Sequence, residues 1–314
     1  MIRYLVGRLG QSLIVILGVT LVVFAMLHML PGGPARAILG PRATPQAVAA
    51  FDHANGYDRA VPVQYWVWIK NLLTGNLGYS YKLNQSVASL IADRLPKTVL
   101  IVGLANVIAI VLAIPLGLVQ ASRRNRGFDY AVTAGAFFFY SMPLFWLSLL
   151  LITFFSIDNT FLPPEAPQGS FVDVLKDPAG LVLPIAALTL ITLALFSRYM
   201  RSSAIDSLTQ DYVRTARAKG SSTSQLLRRH VLRNSLLPTI TLIGLTLPVV
   251  VSGALIVESV FNFPGMGLLF WNAAQTQDYP VLLGSVVVIG VATALGSLLA
   301  DLLYLVVDPR IRAA

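Results

Sequence analysis

Little in this chain is arranged for covalent chemistry. Its three histidines, His28, His53 and His230, are far apart, and there is no cysteine. Thiolate catalysis, thiolate metal sites, haem attachment and disulfides are therefore excluded. No His-Glu-x-x-His run and no Asp pair inside an apolar stretch is present, so an intramembrane hydrolase lacks its paired catalytic groups. Gly78-Tyr79-Ser80 is only a weak nucleophile-like triplet. Without a Gly-x-x-x-x-Gly-Lys-Ser/Thr phosphate loop, any ATP hydrolysis must come from another chain. What remains are isolated polar groups at particular depths of long apolar stretches, and one basic, glycine-jointed segment between two of them.

Those stretches follow from composition. Apolar residues make up 56% of the 314 and charged residues 12%. Half the usual charged share cannot cover a water-facing surface of this size. Six windows hold no Asp, Glu, Lys or Arg: 9–35, 98–122, 130–157, 178–197, 234–257 and 279–300. Each is long enough for a helix to cross the roughly 30 Å hydrocarbon core. Runs of this length suit helices rather than barrel strands, so the expected fold class is an all-α membrane protein with six transmembrane helices, one transmembrane domain over 1–314.

The net charge of +9 is explained by where it falls, with no need for nucleic acid. With both termini placed in the cytoplasm, the inner segments carry 15 Lys and Arg and the outer ones 8. This is the positive-inside bias. Arg3 and Arg8 before an apolar run, and Ala35-Arg36-Ala37 after it, resemble a signal peptide; the run from Leu9 to Leu30 is longer than a signal core of about 7–15 residues, so it is read as a retained transmembrane helix.

Two segments outside the windows have structure of their own. The outer one, 32–96, holds Pro31-Gly32-Gly33-Pro34 at its start and Gly75-Asn76-Leu77-Gly78 further on, both turn-forming. Tyr65, Trp66 and Trp68 between them suit an interfacial amphipathic helix. The inner one, 198–236, predicts two short helices. Asp211 favours a start and Lys219 an end, Gly220 suits the left-handed C′ position, and Ser222 with Gln225 has capping-box spacing. Thr215, Ala216 and Ala218 are small enough for close approach by a partner, and Pro238 is placed to open the fifth crossing.

That inner segment carries a resemblance. Arg214-Thr215-Ala216-x-x-x-Gly220 followed by Leu237-Pro238 resembles the "EAA" loop of binding-protein-dependent ABC importer permeases. The longer string from Tyr212-Val213-Arg214 through Ala216-Arg217-Ala218-Lys219-Gly220 to Arg229-His230-x-Leu232-Arg233-Asn234 is similar to the dipeptide/oligopeptide/nickel permease family, B-type subunit. Further blocks are Arg3-Tyr4-Leu5-x-x-Arg8-Leu9, Gly75-Asn76-Leu77-Gly78-x-Ser80, Glu258-x-x-Phe261-Asn262-x-Pro264-Gly265-x-Gly267, Asp278-Tyr279-Pro280, Asp301-Leu302-Leu303-Tyr304 and Asp308-Pro309-Arg310-Ile311-Arg312. The leading Glu-Ala of the broad pattern is Arg214-Thr215 here, which leaves no Glu to carry a role at that place.

The resemblance implies a type I ABC importer (MetI-like) permease fold in a bacterial cytoplasmic (inner) membrane, both termini inside. It implies a homologous second permease subunit, two ATPase subunits that bind ATP and Mg, and an extracytoplasmic solute-binding protein, with no cofactor or metal in this chain. Arg214, Thr215, Ala216, Arg217, Ala218, Lys219 and Gly220 would form the ATPase-coupling loop. The cargo implied is a di- or oligopeptide; nickel or another small solute, or an ATP-independent secondary transporter, are the alternatives.

Depth along each helix singles out candidates for the solute path or gate. Asn106 lies about 15 Å beyond Pro96, near the middle of the second window. Thr189 and Thr192 fall near the middle of the fourth, and Thr246 with Pro248 near that of the fifth. Such groups line transport paths or bond a neighbouring helix. Glu258, roughly 30 Å beyond Pro238, stands at the outer mouth, either as a gate or as a cap on the Phe261–Gly267 turn. Asp301 and His28 are read as structural.

Overall fold

The computed structural model describes residues 2–29, 33–40, 42–252 and 254–307. Helix α1 (Ile2–His28) leads to a small cap, on the side the charge bias predicts to be outer, of α2 (Gly33–Leu39), α3 (Pro45–Asn55), α4 (Val61–Leu73) and a hairpin of β1 (Tyr79–Ser80) with β2 (Gln85–Ser86). Then follow α5 (Val87–Ser122), α6 (Gly127–Ser141) and α7 (Leu144–Ile152), the last running into a wide π turn, Thr153–Asp158. After α8 (Phe171–Lys176) come α9 (Ala179–Leu208), α10 (Asp211–Ala218), α11 (Thr223–Gln225), a second π segment (Leu226–Val231) and α12 (Leu232–Ser252). The short helices α13 (Leu255–Val260) and α14 (Met266–Thr276) precede α15 (Tyr279–Val307).

Among the described residues, four helices are long and apolar enough to cross a membrane: Gly7–His28 of α1, α5, α9 and Tyr279–Leu298 of α15. The pair α6 and α7 counts as a fifth if taken together. Window 130–157 is therefore not one straight crossing. It bends by 102° at Met142-Pro143, because a proline locks its φ and pushes the residue before it out of the helical region. Large apolar side chains such as Leu13, Ile14, Leu21, Val107 and Val111 stand exposed on the outer faces of α1 and α5, as surfaces meant for lipid or another apolar helix do.

The centre of the bundle is the pair α5 and α9. At Gly117 an added Cβ would lie 2.7 Å from Met200 Cβ and 2.9 Å from the Arg201 backbone nitrogen, so only glycine allows the approach. On the other flank, Gly290 of α15 takes Val19 of α1 in the same way, at 2.6 Å.

Helix α5 starts earlier than its apolar window suggests. Ser86 caps it by accepting from Ser89 N at 3.2 Å, and Pro96 lies inside it rather than at its start. Charge does not stop the helix because Lys97 is neutralised within it: Nζ reaches both carboxylate oxygens of Asp93, at 2.8 and 2.9 Å, and the Gly169 carbonyl at 2.8 Å. With 36 residues α5 is about 54 Å long, more than a bilayer core, so its first turns, from Val87 to Pro96, are helical within the 32–96 segment.

Candidate functional site

The inner joint is built as its residues predict. Helix α10 ends with Gly220 N donating to Arg217 O (3.0 Å) and Ser221 N to Ala216 O (3.2 Å), a Schellman closure with Gly220 at φ +87°. Ser222 then caps the next turn reciprocally: Gln225 N donates to Ser222 Oγ at 3.4 Å and Ser222 N to Gln225 Oε1 at 3.0 Å.

Two corrections follow. The segment after the cap is not a separate short helix, since the chain stays helical from Thr223 through the π segment to Ser252, and Pro238 lies inside α12 rather than opening it. Helix α9 likewise runs on to Leu208, so within 198–236 only 209–210 and 219–222 are outside helix. In both cases the helix extends beyond the bilayer window because capped turns and burial, not hydropathy, decide where it ends.

The faces of α10 divide sharply. Val213 and Ala216 are buried against Leu118, Ala121, Met200 and Ala204, at the ends of α5 and α9, and against Leu226 and Val231 of the second π segment. Arg214, Thr215, Arg217, Ala218, Lys219 and Gly220 are exposed. Ala216 is therefore an anchor to the bundle and not part of the face offered outward. Tyr212 OH and Ser207 Oγ, 2.5 Å apart, pin the helix start.

Three of the midplane candidates hydrogen-bond helix carbonyls. Asn106 Nδ2 donates to Val102 O of its own helix at 2.8 Å. Thr189 is buried and donates to Ala105 O at 3.4 Å, joining α9 to α5 one residue from Asn106. Thr246 Oγ1 donates to Ile243 O at 2.8 Å. Thr192 is half-buried on α9, and the side chains of Pro248 and Asp301 lie outside the described residues.

Glu258 is no mouth-lining carboxylate. It is fully buried, and its oxygens accept from Thr98 Oγ1 (2.8 Å), Leu268 N (2.9 Å) and Ala254 N (3.4 Å). Thr98 Oγ1 in turn accepts from Met266 N at 2.8 Å. A Cβ on Gly265 would sit 2.5 Å from Glu258 Cδ and from Thr98 Oγ1, which explains why Gly265 follows the glutamate at this spacing. The loop from α7 completes the turn, with Ala166 N donating to Phe261 O at 2.8 Å and Gln168 Nε2 to Asn262 O at 2.5 Å. Glu258 thus caps this turn, as one of its two readings expects.

The outer cap is closed in the same style. Ser80 Oγ donates to Asp278 Oδ2 in a short hydrogen bond, so two of the sequence blocks, Gly75–Ser80 and Asp278–Pro280, meet at the head of α15. His28 bonds Phe24 O (2.9 Å) and Gln64 Oε1 (2.7 Å), and the Tyr65 and Thr20 hydroxyls are 3.0 Å apart. Helix α4 thus packs Tyr65 and Trp68 onto α1 while Trp66 stays exposed. Burial, and then Asp52, pushes the Tyr57 phenol up to about 12. The His53 hydrogen bond holds Asp58 below the usual carboxylate range.

Comparison with known sequences shows the family. Residues 113–313 match the family described as binding-protein-dependent transport system inner membrane component, and 1–102 match its N-terminal counterpart. The chain belongs to this permease family. It is 41% identical to a putative peptide permease protein of Brucella suis over 99% of both chains. It is 35% identical to the oligopeptide transport system permease protein AppB of Bacillus subtilis, again over 99% of both. Identity to the dipeptide transport system permease protein DppB of Escherichia coli is 34%, at the same coverage.

Sequence reasoning missed one element of this permease that the structure makes plain. Asp129, buried near the start of α6, accepts Arg201 Nε at 2.6 Å and Nη2 at 2.7 Å, as well as Asn125 N at 3.0 Å. This bidentate pair clamps the first inner loop to α9 just above the α10 seat. The available signal was a lone acid beside Arg123, Arg124 and Arg126, the only carboxylate in that loop.

Proposed function

We propose that this chain is one of two permease subunits of an ATP-driven importer that moves di- or oligopeptides handed over by an extracytoplasmic binding protein. In this reading α12 is the fifth of six crossings, both termini are cytoplasmic, and two ATPase subunits dock on the inner loops. Peptide cargo is carried over from the relatives whose names state it.

The observation that carries the coupling role is the two-faced helix α10. Its buried side, Val213 and Ala216, is locked to α5 and α9, while its exposed side presents Arg214, Arg217 and Lys219 with the small Thr215 and Ala218. A push on that face is passed by Val213 and Ala216 to Leu226 and Val231, in the segment that runs as continuous helix into α12. Such a lever shifts access only if the ATPase binds it differently in its two nucleotide states.

The test is a mild-detergent pull-down of the tagged chain followed by mass spectrometry and an ATPase assay. Wild type is expected to bring a second permease and two nucleotide-binding chains. Ala218→Glu and Arg217→Glu, which alter only the exposed face, should lose the ATPase while keeping the second permease. A chain that purifies without any ATPase and transports when reconstituted alone would overturn the reading.

A further inference from the structure

Between α6 and α9 lies an open groove of about 400 Å³ lined by Thr133, Phe137, Tyr140, Arg198, Tyr199 and Ser202, among others. Two arginines border it, and they are in different states. Arg201 is neutralised by Asp129. Arg198 lies over the rings of Phe137 and Tyr140, with its guanidinium carbon 4.5 and 5.1 Å from their centroids, and has no carboxylate partner among the described residues. The groove therefore carries one uncompensated positive charge with aromatic walls and hydroxyls around it.

The direction of the Arg198 side chain says what the groove faces. Arg198 is the first charge after window 178–197, at the inner limit of the apolar part of α9. The Asp129–Arg201 pair sets the register of the two antiparallel helices. From it, Arg198 is about 4.5 Å nearer the outer end, and Phe137 about 12 Å nearer. The guanidinium thus reaches outward, deeper into the apolar span. Helical side chains lean toward the N-terminus, which is outward for α9 and inward for α6, so the arginine and the two rings converge. An arginine on a lipid-facing wall would instead swing its charge back to the headgroups. A free guanidinium held at this depth, beside exposed tyrosines, belongs to a surface that water reaches.

We infer that Arg198 is a carboxylate station on the inward half of the solute path, where it takes the C-terminal carboxylate of a passing peptide. The inference rests on the permease reading above and adds a binding residue to it. A carboxylate fits the guanidinium edge in a two-hydrogen-bond fork while the ring contacts hold its flat face. Arg201 cannot serve, since its own fork is filled by Asp129. The aromatic floor fixes the arginine's rotamer before solute arrives, and a single pair leaves the bound state weak enough for release.

The experiment uses the assembled transporter in proteoliposomes, loaded by its own binding protein, with trialanine and trialanine amide as probes. The binding protein is the same for wild type and variants, so its selectivity cancels when each probe's uptake is divided by the wild-type value for that probe. Arg198→Gln is expected to cut trialanine uptake about tenfold, the size of one charge-assisted pair, and to change the amide's uptake by less than about twofold. Arg198→Lys should restore part of the loss for trialanine. Co-purification of the second permease and both ATPase chains with each variant shows that folding and assembly survive.

Equal loss for both probes, or no loss for either, overturns the station. So does retention of an anionic lipid by wild type but not Arg198→Gln in native mass spectrometry, accompanied by equal loss for both probes, which would make the groove a lipid site. A wild-type complex that lacks ATPase chains, or moves neither probe, fails at the permease reading itself and is recognised before any variant is made.

Discussion

The two helix joints of this protein use the same vocabulary to opposite ends. At the inner joint, Gly220 and the Ser222–Gln225 box turn the chain so that Arg214, Arg217 and Lys219 stay in water. At the outer joint, Gly265 and Gly267 let the chain close on Glu258, which disappears from solvent altogether. Charge near a glycine-rich turn is thus no guide to function by itself. A charged group that remains exposed after the turn has formed is free for a partner, whereas one whose oxygens are consumed by backbone N–H groups holds the turn together.

The contrast is tested most severely at the outer joint. Gly265→Ala forces a methyl group to within 2.5 Å of Glu258 and Thr98, and neither can retreat from a buried, fully bonded position. A destabilisation of about 3 kcal/mol or more is expected, seen as loss of monodisperse protein in detergent and a lowered melting temperature. Glu258→Ala should cost about as much, because it strands the Leu268 and Ala254 N–H groups and the Thr98 hydroxyl. If either variant is as stable as wild type while transport alone fails, Glu258 acts on solute after all.

Asp129→Ala comes next. It leaves Arg201 without its fork at the inner end of α9, and about 2 kcal/mol is expected, in part recovered by Asp129→Ala combined with Arg201→Met. The double-mutant cycle in a thermal-shift assay checks it; simple additivity would deny the clamp.

Smaller still is Gly220→Ala, about 1 kcal/mol for placing a side chain at φ +87° with open space around it. Smallest is Arg217→Glu, expected within about 0.5 kcal/mol of wild type in stability because the residue only faces water. Its effect should appear instead as lost ATPase co-purification. A large stability loss at Arg217 would erase the distinction between the two joints.

Much of the inner joint was legible beforehand because its signals are local. A C′ glycine, a Ser-x-x-Gln box and an acid at the first turn act within a few residues of one another, so spacing alone states the geometry. The outward and inward faces of α10 were not legible. Thr215, Ala216 and Ala218 look equally suited to a partner, and only the ends of α5 and α9, about 80 residues apart in sequence, select Ala216 for burial. Helix ends were misjudged for a related reason. Apolar windows mark where charge is absent, yet Lys97 stays helical and buried by borrowing Asp93 and a carbonyl from residue 169.

By itself, then, the sequence determined that this protein is helical and membrane-embedded, where its inner joint turns, and to which permease family its ordered motif blocks belong. These are statements about composition and short-range backbone preference, which need no knowledge of the rest of the chain. The tertiary structure alone decided that Glu258 is sealed, that Arg201 is spent on Asp129 and that Arg198 is not. Whether a charged group is free depends on which distant donors and acceptors the fold brings within about 3 Å of it, and no local pattern encodes that.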